Sequence, residues 1–151
     1  MKSKILLSIA LLTLIVSCKK ETAATPTAVI EKPNPSQDAC YEYAQKGDKI
    51  ELQLHYIANS DSVNGTLNIA YAEKDRNSGI IHGKVTDSIL IANYVFQSEG
   101  LKSIRQVAFK FQNGKLVEGF GEMNADGTSF LDANHLTFSS AMPLARIDFH
   151  E

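Results

Sequence analysis

An Asn-Gly pair, Asn113-Gly114, separates two segments in which apolar and polar residues alternate. A tight type I′ turn needs positive φ at both central residues, and Asn-Gly accepts that conformation at low cost. The segments 101–112 and 115–123 are therefore predicted to form an antiparallel hairpin. A second turn at Glu99-Gly100 joins 89–97 to 101–112 in the same way. Because a one-residue slip would move every side chain to the other face, the two turns together fix which residues face inward.

The first turn predicts four facing pairs: Phe111 with Leu116, Phe109 with Glu118, Val107 with Phe120 and Arg105 with Glu122. The second predicts four more: Phe96 with Ser103, Tyr94 with Arg105, Ala92 with Val107 and Leu90 with Phe109. Both turns agree on one inner face, made of Leu90, Ala92, Tyr94, Phe96, Val107, Phe109, Phe111, Leu116 and Phe120. Agreement between turn chemistry and polarity is typical of a sequence that specifies a single fold.

The rest of the chain after residue 39 has the same strand-like pattern. Period-two alternation predicts strands at 50–56, 66–71 and 80–86, and weaker patterns predict strands at 128–131 and 144–149. Residues 134–143 have no clear assignment. No long segment has helical periodicity. The predicted fold is therefore all-β: an antiparallel meander of about seven or eight strands, closed or nearly closed into a small barrel.

Three charged residues interrupt the predicted inner face. Arg105, Glu118 and Glu122 fall on it near Tyr94, and a lone buried charge is costly unless it is paired or faces water. An inward Arg105–Glu122 pair, completed by Glu118 or Tyr94, is the expected arrangement. It would serve either as a satisfied polar plug or as the polar floor of a ligand pocket. An inward arginine suits an anionic head group such as a carboxylate.

The N-terminus has the features of a secretory signal. Lys2 and Lys4 precede an apolar run, Ile5–Val16, which ends at Ser17 and Cys18. The run is shorter than the ~20 residues that span a bilayer. Ile15-Val16-Ser17-Cys18 resembles the lipobox of bacterial lipoproteins, which implies cleavage before Cys18 and attachment of lipid, including palmitate-type acyl chains, to that residue. The predicted organisation is a signal peptide at 1–17, a lipidated cysteine and flexible tether at 18–38, and a β-barrel domain at 39–151.

Composition limits the classes of partner. The chain has 15 basic and 17 acidic residues; without Lys2 and Lys4 it carries 13 basic residues and a formal charge of −4. No basic block is present, so nucleic acid is not an expected partner. With Cys18 lipidated, Cys40 alone cannot form an internal disulfide and is expected to be a buried strand residue.

No motif predicts a metal site, a cofactor or catalysis. The four histidines, His55, His82, His135 and His150, lack metal-ligand spacing, and neither a nucleophile elbow nor a phosphate loop occurs. The chain is therefore expected not to be an enzyme. An enzyme that uses Glu118 and Glu122 as an acid/base pair is the least favoured alternative.

The segment from Cys40 to Met123 resembles a family of small uncharacterised lipoproteins of Gram-negative bacteria. The resemblance lies in Cys40-Tyr41, in Phe96-Gln97-Ser98-Glu99-Gly100 followed by Ser103 and Arg105, and in Glu118-Gly119-Phe120-Gly121-Glu122. More distantly the chain is similar to lipocalin-like and copper-resistance-lipoprotein-like barrels, although it lacks the Cys-x-x-Cys of the latter and has no Trp.

The resemblance implies an envelope lipoprotein, and Lys19 in place of an Asp after the lipidated cysteine implies the outer membrane. Whether the domain faces the periplasm or the cell surface stays open. The expected function is a membrane-anchored β-barrel binding or envelope-interaction module. Its expected partners are the membrane, through the lipid, and a small anionic or amphipathic ligand. The alternative is a structural lipoprotein that contacts an envelope protein.

Overall fold

The structure of the chain, a computed structural model, describes residues 38–74 and 76–148. These residues form nine strands: β1 (Ala39–Gln45), β2 (Asp48–Tyr56), β3 (Ser62–Ala70), β4 (Arg76–Thr86), β5 (Ile89–Ser98), β6 (Leu101–Gln112), β7 (Lys115–Phe120), β8 (Thr137–Phe138) and β9 (Leu144–Ile147). Within these two ranges no helix is long and apolar enough to cross a membrane. The predicted signal peptide at 1–17, Cys18, the tether as far as residue 37, and Phe149 lie outside the described residues.

The strands form one antiparallel sheet that closes on itself. β1 to β7 follow each other as a meander, and β9 lies between β7 and β1, which completes an eight-stranded barrel. The two-residue strand β8 pairs with the far end of β7 as an extra strand. The predicted all-β meander, closed into a small barrel, is confirmed. Closure leaves the eight strands without a long free edge that could pair with another chain.

Both predicted turns have the expected backbone. Asn113 and Gly114 have φ values of 53° and 71°, and Glu99 and Gly100 have values of 49° and 78°. The predicted pairs of β5 with β6 are all present, including Tyr94 opposite Arg105. β6 and β7 pair as predicted from the turn as far as Phe109 opposite Glu118.

The predicted pairing between β6 and β7 is wrong beyond Gly119. β7 ends at Phe120, and its last pair with β6 is Gly119 opposite Ala108, so the pairs Val107–Phe120 and Arg105–Glu122 do not form. The backbone N–H of Gln106 donates instead to the carbonyl oxygen of Thr128 at 2.8 Å. A later part of the chain thus takes the place beside β6 that β7 was predicted to occupy.

A tight turn explains this exchange of partners. The Asn124 side-chain oxygen accepts hydrogen bonds from the backbone N–H groups of Thr128, at 2.9 Å, and Ser129, at 3.1 Å. The chain folds back there, and the predicted strand at 128–131 is reduced to a single bridge between Met123 and Phe130. Side chains of short polar residues commonly compete in this way with strand pairing.

The barrel interior is the hydrophobic core. Seven of the nine predicted inner-face residues are buried: Leu90, Ala92, Tyr94, Val107, Phe109, Phe111 and Leu116. Phe96 is half-buried against them. Phe120 is 49% exposed, so its prediction as a core residue is wrong. Cys40 is buried in β1, as predicted.

The two ends of the barrel differ in what they carry. Because neighbouring strands are antiparallel, Ala39, Ile147 and the turn at Asn113-Gly114 lie at one end, here called the terminal end. The opposite end carries the β1–β2, β3–β4 and β5–β6 connections and the long segment from 121 to 143, and is here called the open end. Arg105 lies close to the open end, since it is the fifth residue of β6.

Candidate functional site

The β5–β6 and β6–β7 hairpins bring Arg105 and Glu118 to the interior of the open end. Strand alternation points Arg105 inward with Val107 and Phe109, because successive side chains on a strand face opposite sides. Glu118 points inward with the fully buried Leu116. Both charged residues are half-buried.

Two stacked aromatic rings support Arg105. The rings of Tyr94 and Phe96 have centroids 4.7 Å apart and are 17° from parallel. The guanidinium carbon of Arg105 lies 5.3 Å from the Phe96 centroid and 5.9 Å from the Tyr94 centroid. Cations within about 6 Å of a ring face are attracted by its quadrupole. Gly79 lies opposite Phe96, and a Cβ there would come within 2.8 Å of the Phe96 Cβ, so this glycine permits the close approach of β4.

The Tyr94 hydroxyl belongs to the structure of the barrel. It donates a hydrogen bond to the carbonyl oxygen of Leu67 at 2.9 Å, in the buried interior. Burial raises the pKa of Tyr94 to about 12, although the positive charge of Arg105 opposes the rise. The hydroxyl therefore stays protonated at neutral pH and is already engaged. Of the predicted cluster, Tyr94 contributes a ring under Arg105 and not a free polar group.

Arg105 has an unused donor. Its Nε atom is buried and has no hydrogen-bond partner in the described part of the chain. No ion pair of the described residues includes Arg105. A buried donor that makes no hydrogen bond costs about 1–3 kcal/mol. A buried group of this kind needs an explanation such as a bound water, an ion or a functional role.

Glu118 faces the same space without forming an ion pair with Arg105. Burial raises the pKa of Glu118, and the positive charge of Arg105 partly opposes that rise. Tyr71, which follows β3, has its pKa raised by burial first and by the negative charge of Glu118 second. Arg105, Glu118 and Tyr71 are therefore within electrostatic reach of one another at the open end.

An open cavity of about 520 Å³ lies beside these groups. Arg105 and Glu118 contribute the charges to its lining. Most of the large side chains around them are apolar or aromatic: Tyr71, Phe120, Met123, Phe130 and Met142. An apolar lining with a few convergent polar groups is the usual composition of a small-molecule site, and this volume lies within the usual range of about 300–1,000 Å³.

Glu122 lies apart from the site. It is exposed and does not line the cavity, because β7 ends two residues before it. The predicted Arg105–Glu122 ion pair is therefore wrong, and Glu122 does not join Glu118 in the lining of the cavity. A pair of carboxylates for acid/base chemistry would need both groups within hydrogen-bond reach of one bound substrate. In the described ranges, no group of three or more His, Cys, Asp or Glu could hold a metal ion.

Sequence reasoning missed most of the apolar lining. Tyr71 continues the alternation of Leu67 and Ile69, so the signal for an inward position was present. Met123, Phe130 and Met142 belong to connections without periodicity, and no sequence pattern indicates that they return to the barrel opening.

Two larger hollows lie on the outer wall and do not include the predicted cluster. One, of about 690 Å³, runs along β2–β4 near Lys49 and Arg76, and the other, of about 820 Å³, lies over β3–β5 around His82. The row His55, Asn64, His82 and Asn93 crosses this wall in register. His55 is exposed and pairs with Asp38 at 2.7 Å.

Comparison with known proteins identifies no relative: no family model, no curated protein and no solved structure matches this chain. The residues and geometry of the chain itself therefore supply the evidence for its function.

Proposed function

We propose that this protein is a lipid-anchored lipoprotein of the bacterial outer membrane whose β-barrel binds a small amphipathic ligand with an anionic head. The observation that carries the proposal is an inward, half-buried Arg105 that lines an apolar cavity and forms no ion pair in the described part of the chain. A ligand carboxylate would accept hydrogen bonds from the guanidinium, and such charge-assisted bonds are about twice as strong as neutral ones. The apolar body of the ligand would lie against the methionine and phenylalanine side chains of the lining.

The position of Arg105 also supports ligand binding over a purely structural role. A polar plug lowers its own cost only when its donors and acceptors are satisfied internally. Here the aromatic rings orient the guanidinium, yet the Nε donor makes no hydrogen bond in the described residues. The fold thus holds an arginine in a fixed place at the cavity, without an ion-pair partner among the described residues.

The anchor belongs to the same proposal. The lipobox-like Ile15-Val16-Ser17-Cys18 supports lipidation, and two or more acyl chains are needed for stable membrane attachment. Residue 38 is at the terminal end of the barrel and the Arg105 cavity is at the open end. An N-terminal anchor would therefore leave the cavity accessible from the side that faces away from the attachment point.

Native mass spectrometry of the full-length chain, extracted from its host in mild detergent, tests the binding function. We expect a small molecule to copurify with the wild type and with Lys102→Ala, an exposed charge on the same strand, and to be lost from Arg105→Ala. The proposal would be refuted if the wild type carried no small molecule and also bound no amphipathic carboxylate that was added to it.

A second function has a specific observation in its favour. Ile80, Val95 and Ile104 lie directly opposite one another on the outer wall, across β4, β5 and β6. Ile80 is 48% and Ile104 is 49% exposed. An exposed apolar row of this kind favours contact with a protein partner of the envelope. A cross-linked partner that is lost in Ile80→Ser/Ile104→Ser but kept in Arg105→Ala would support this alternative.

A further inference from the structure

We infer that the ligand of the open end is a zwitterion: a small amphipathic molecule that presents an anionic group to Arg105 and a primary ammonium to Glu118. Amino acids with apolar side chains are the simplest members of this class. The inference rests on the proposed binding function and adds a second recognition residue to it.

The charges of the residues that line the cavity favour a zwitterion. Arg105 and Glu118 are the two charged residues among the described residues that line it. Their charges cancel, so a ligand that carries only a negative charge would gain from Arg105 and be repelled by Glu118. A zwitterion satisfies both residues, and like-charge contacts in a partly desolvated site are strongly unfavourable.

The absence of an ion pair between Arg105 and Glu118 also favours a zwitterion. No ion pair joins them, although both line one cavity. The register explains the separation: Glu118 lies opposite Phe109, which is four residues along β6 from Arg105. At ~3.3 Å per residue, the two backbone positions are about 13 Å apart along the strand. Side chains that reach toward each other from these levels can hold a small dipolar molecule between them.

The poor solvation of Glu118 also favours a zwitterion. Burial raises the pKa of Glu118 because the carboxylate is poorly solvated, and Arg105 offsets this only in part. An ammonium group beside Glu118 would return the solvation that the carboxylate has lost. The guanidinium of Arg105, which forms no ion pair among the described residues, would likewise gain an anionic partner. Each unpartnered group therefore has a counterpart in a zwitterionic ligand.

Three probes with the same aromatic body test the inference by calorimetry on the full-length chain. L-Phenylalanine carries both charges, hydrocinnamate lacks the ammonium, and phenethylamine lacks the carboxylate. Because a hydrogen bond to a charged group contributes roughly 1.5–3 kcal/mol, we expect L-phenylalanine to bind at least about tenfold more tightly than either single-charge analogue. Short-chain phosphatidylethanolamine against phosphatidylglycerol forms a parallel pair, which distinguishes a lipid head group from a free amino acid as the zwitterion.

Variants separate this inference from the proposed function. Glu118→Gln should abolish the preference for the zwitterion while hydrocinnamate still binds, and Glu122→Gln, an exposed carboxylate close by in sequence, should keep the preference. Arg105→Ala should lose binding of both carboxylate probes, L-phenylalanine and hydrocinnamate. If the wild type binds the anion as tightly as the zwitterion in both pairs, the zwitterion inference is wrong and the binding function stands. If none of the five probes binds, both are wrong.

Discussion

Replacing both buried charges, in the double variant Arg105→Met/Glu118→Gln, tests whether the polar cluster stabilises the barrel or is retained for a ligand. The double variant is preferable to Arg105→Met alone, because removing only the arginine would leave Glu118 desolvated and without a nearby positive charge. Methionine keeps an unbranched stem over the Tyr94 and Phe96 rings, and glutamine keeps the shape of the carboxylate.

The expected change in the free energy of unfolding follows from three contributions. Removing the unpartnered Nε relieves about 1–3 kcal/mol. Losing the guanidinium above two rings costs about 0.5–1 kcal/mol for each ring. The methionine sulfur recovers about 0.3–1.5 kcal/mol through its own contact with an aromatic ring. Together these contributions range from about 0.7 kcal/mol less stable to about 3.5 kcal/mol more stable than the wild type, so we expect the double variant to be of similar or higher stability.

Guanidinium unfolding followed by far-ultraviolet circular dichroism measures this, since the chain has no Trp for fluorescence. The matched control is Lys102→Met/Glu122→Gln, which makes the same changes at two exposed positions. A loss of more than about 1 kcal/mol in the double variant but not in the control would refute the reasoning. It would mean that Arg105 and Glu118 form a structural plug, since breaking a satisfied buried network is strongly destabilising.

Three further results are expected. Leu144→Ala should cost about 2–5 kcal/mol of stability, because Leu144 is 0% exposed in the short strand that closes the barrel. Ile147→Ala should cost much less, because Ile147 is 37% exposed. Equal effects of the two substitutions would contradict core packing at the closure. Because burial raises the folded-state pKa of Glu118 above its unfolded value, the folded state binds more protons in that range, and stability should fall as pH rises from about 4.5 through the raised pKa. Unfolding midpoints measured across this range should show a smaller fall in Glu118→Gln than in the wild type, and an unchanged fall would exclude Glu118 as the cause. Cys18→Ser should move the protein from the membrane fraction to the soluble fraction and abolish incorporation of a labelled fatty acid; a variant that still takes up label would refute lipidation at this residue.

The hairpins could be predicted from the sequence because their determinants are local. The two-residue turns at 99–100 and 113–114 fix register over short distances, and alternation then assigns faces. This reasoning correctly placed Arg105 opposite Tyr94 and Glu118 opposite Phe109. The inward position of both charges follows from this alternation alone.

Glu122 was misplaced because local reasoning cannot detect a change of partner strand. The prediction extended β7 in register, whereas the Asn124 turn brings Thr128 beside Gln106 instead. That exchange depends on contacts between residues more than 20 positions apart, which no period or turn motif encodes. The two-residue strand β8 and the cavity residues Phe130 and Met142 were missed for the same reason.

The position of β1 has a mechanical consequence. It forms seven residue pairs with β2 and three with β9, and its first residue is at the end of the barrel opposite the cavity. A pulling force between residue 38 and a molecule held at the open end would have its larger component along the strands, which tilt by about 35–45° from a barrel axis. Such a force loads the hydrogen bonds on both sides of β1 in shear, all together, whereas a force across the strands would open them one at a time. Under the proposed function, in which a lipid holds the N-terminus and a ligand occupies the open end, the barrel would resist tension between the two.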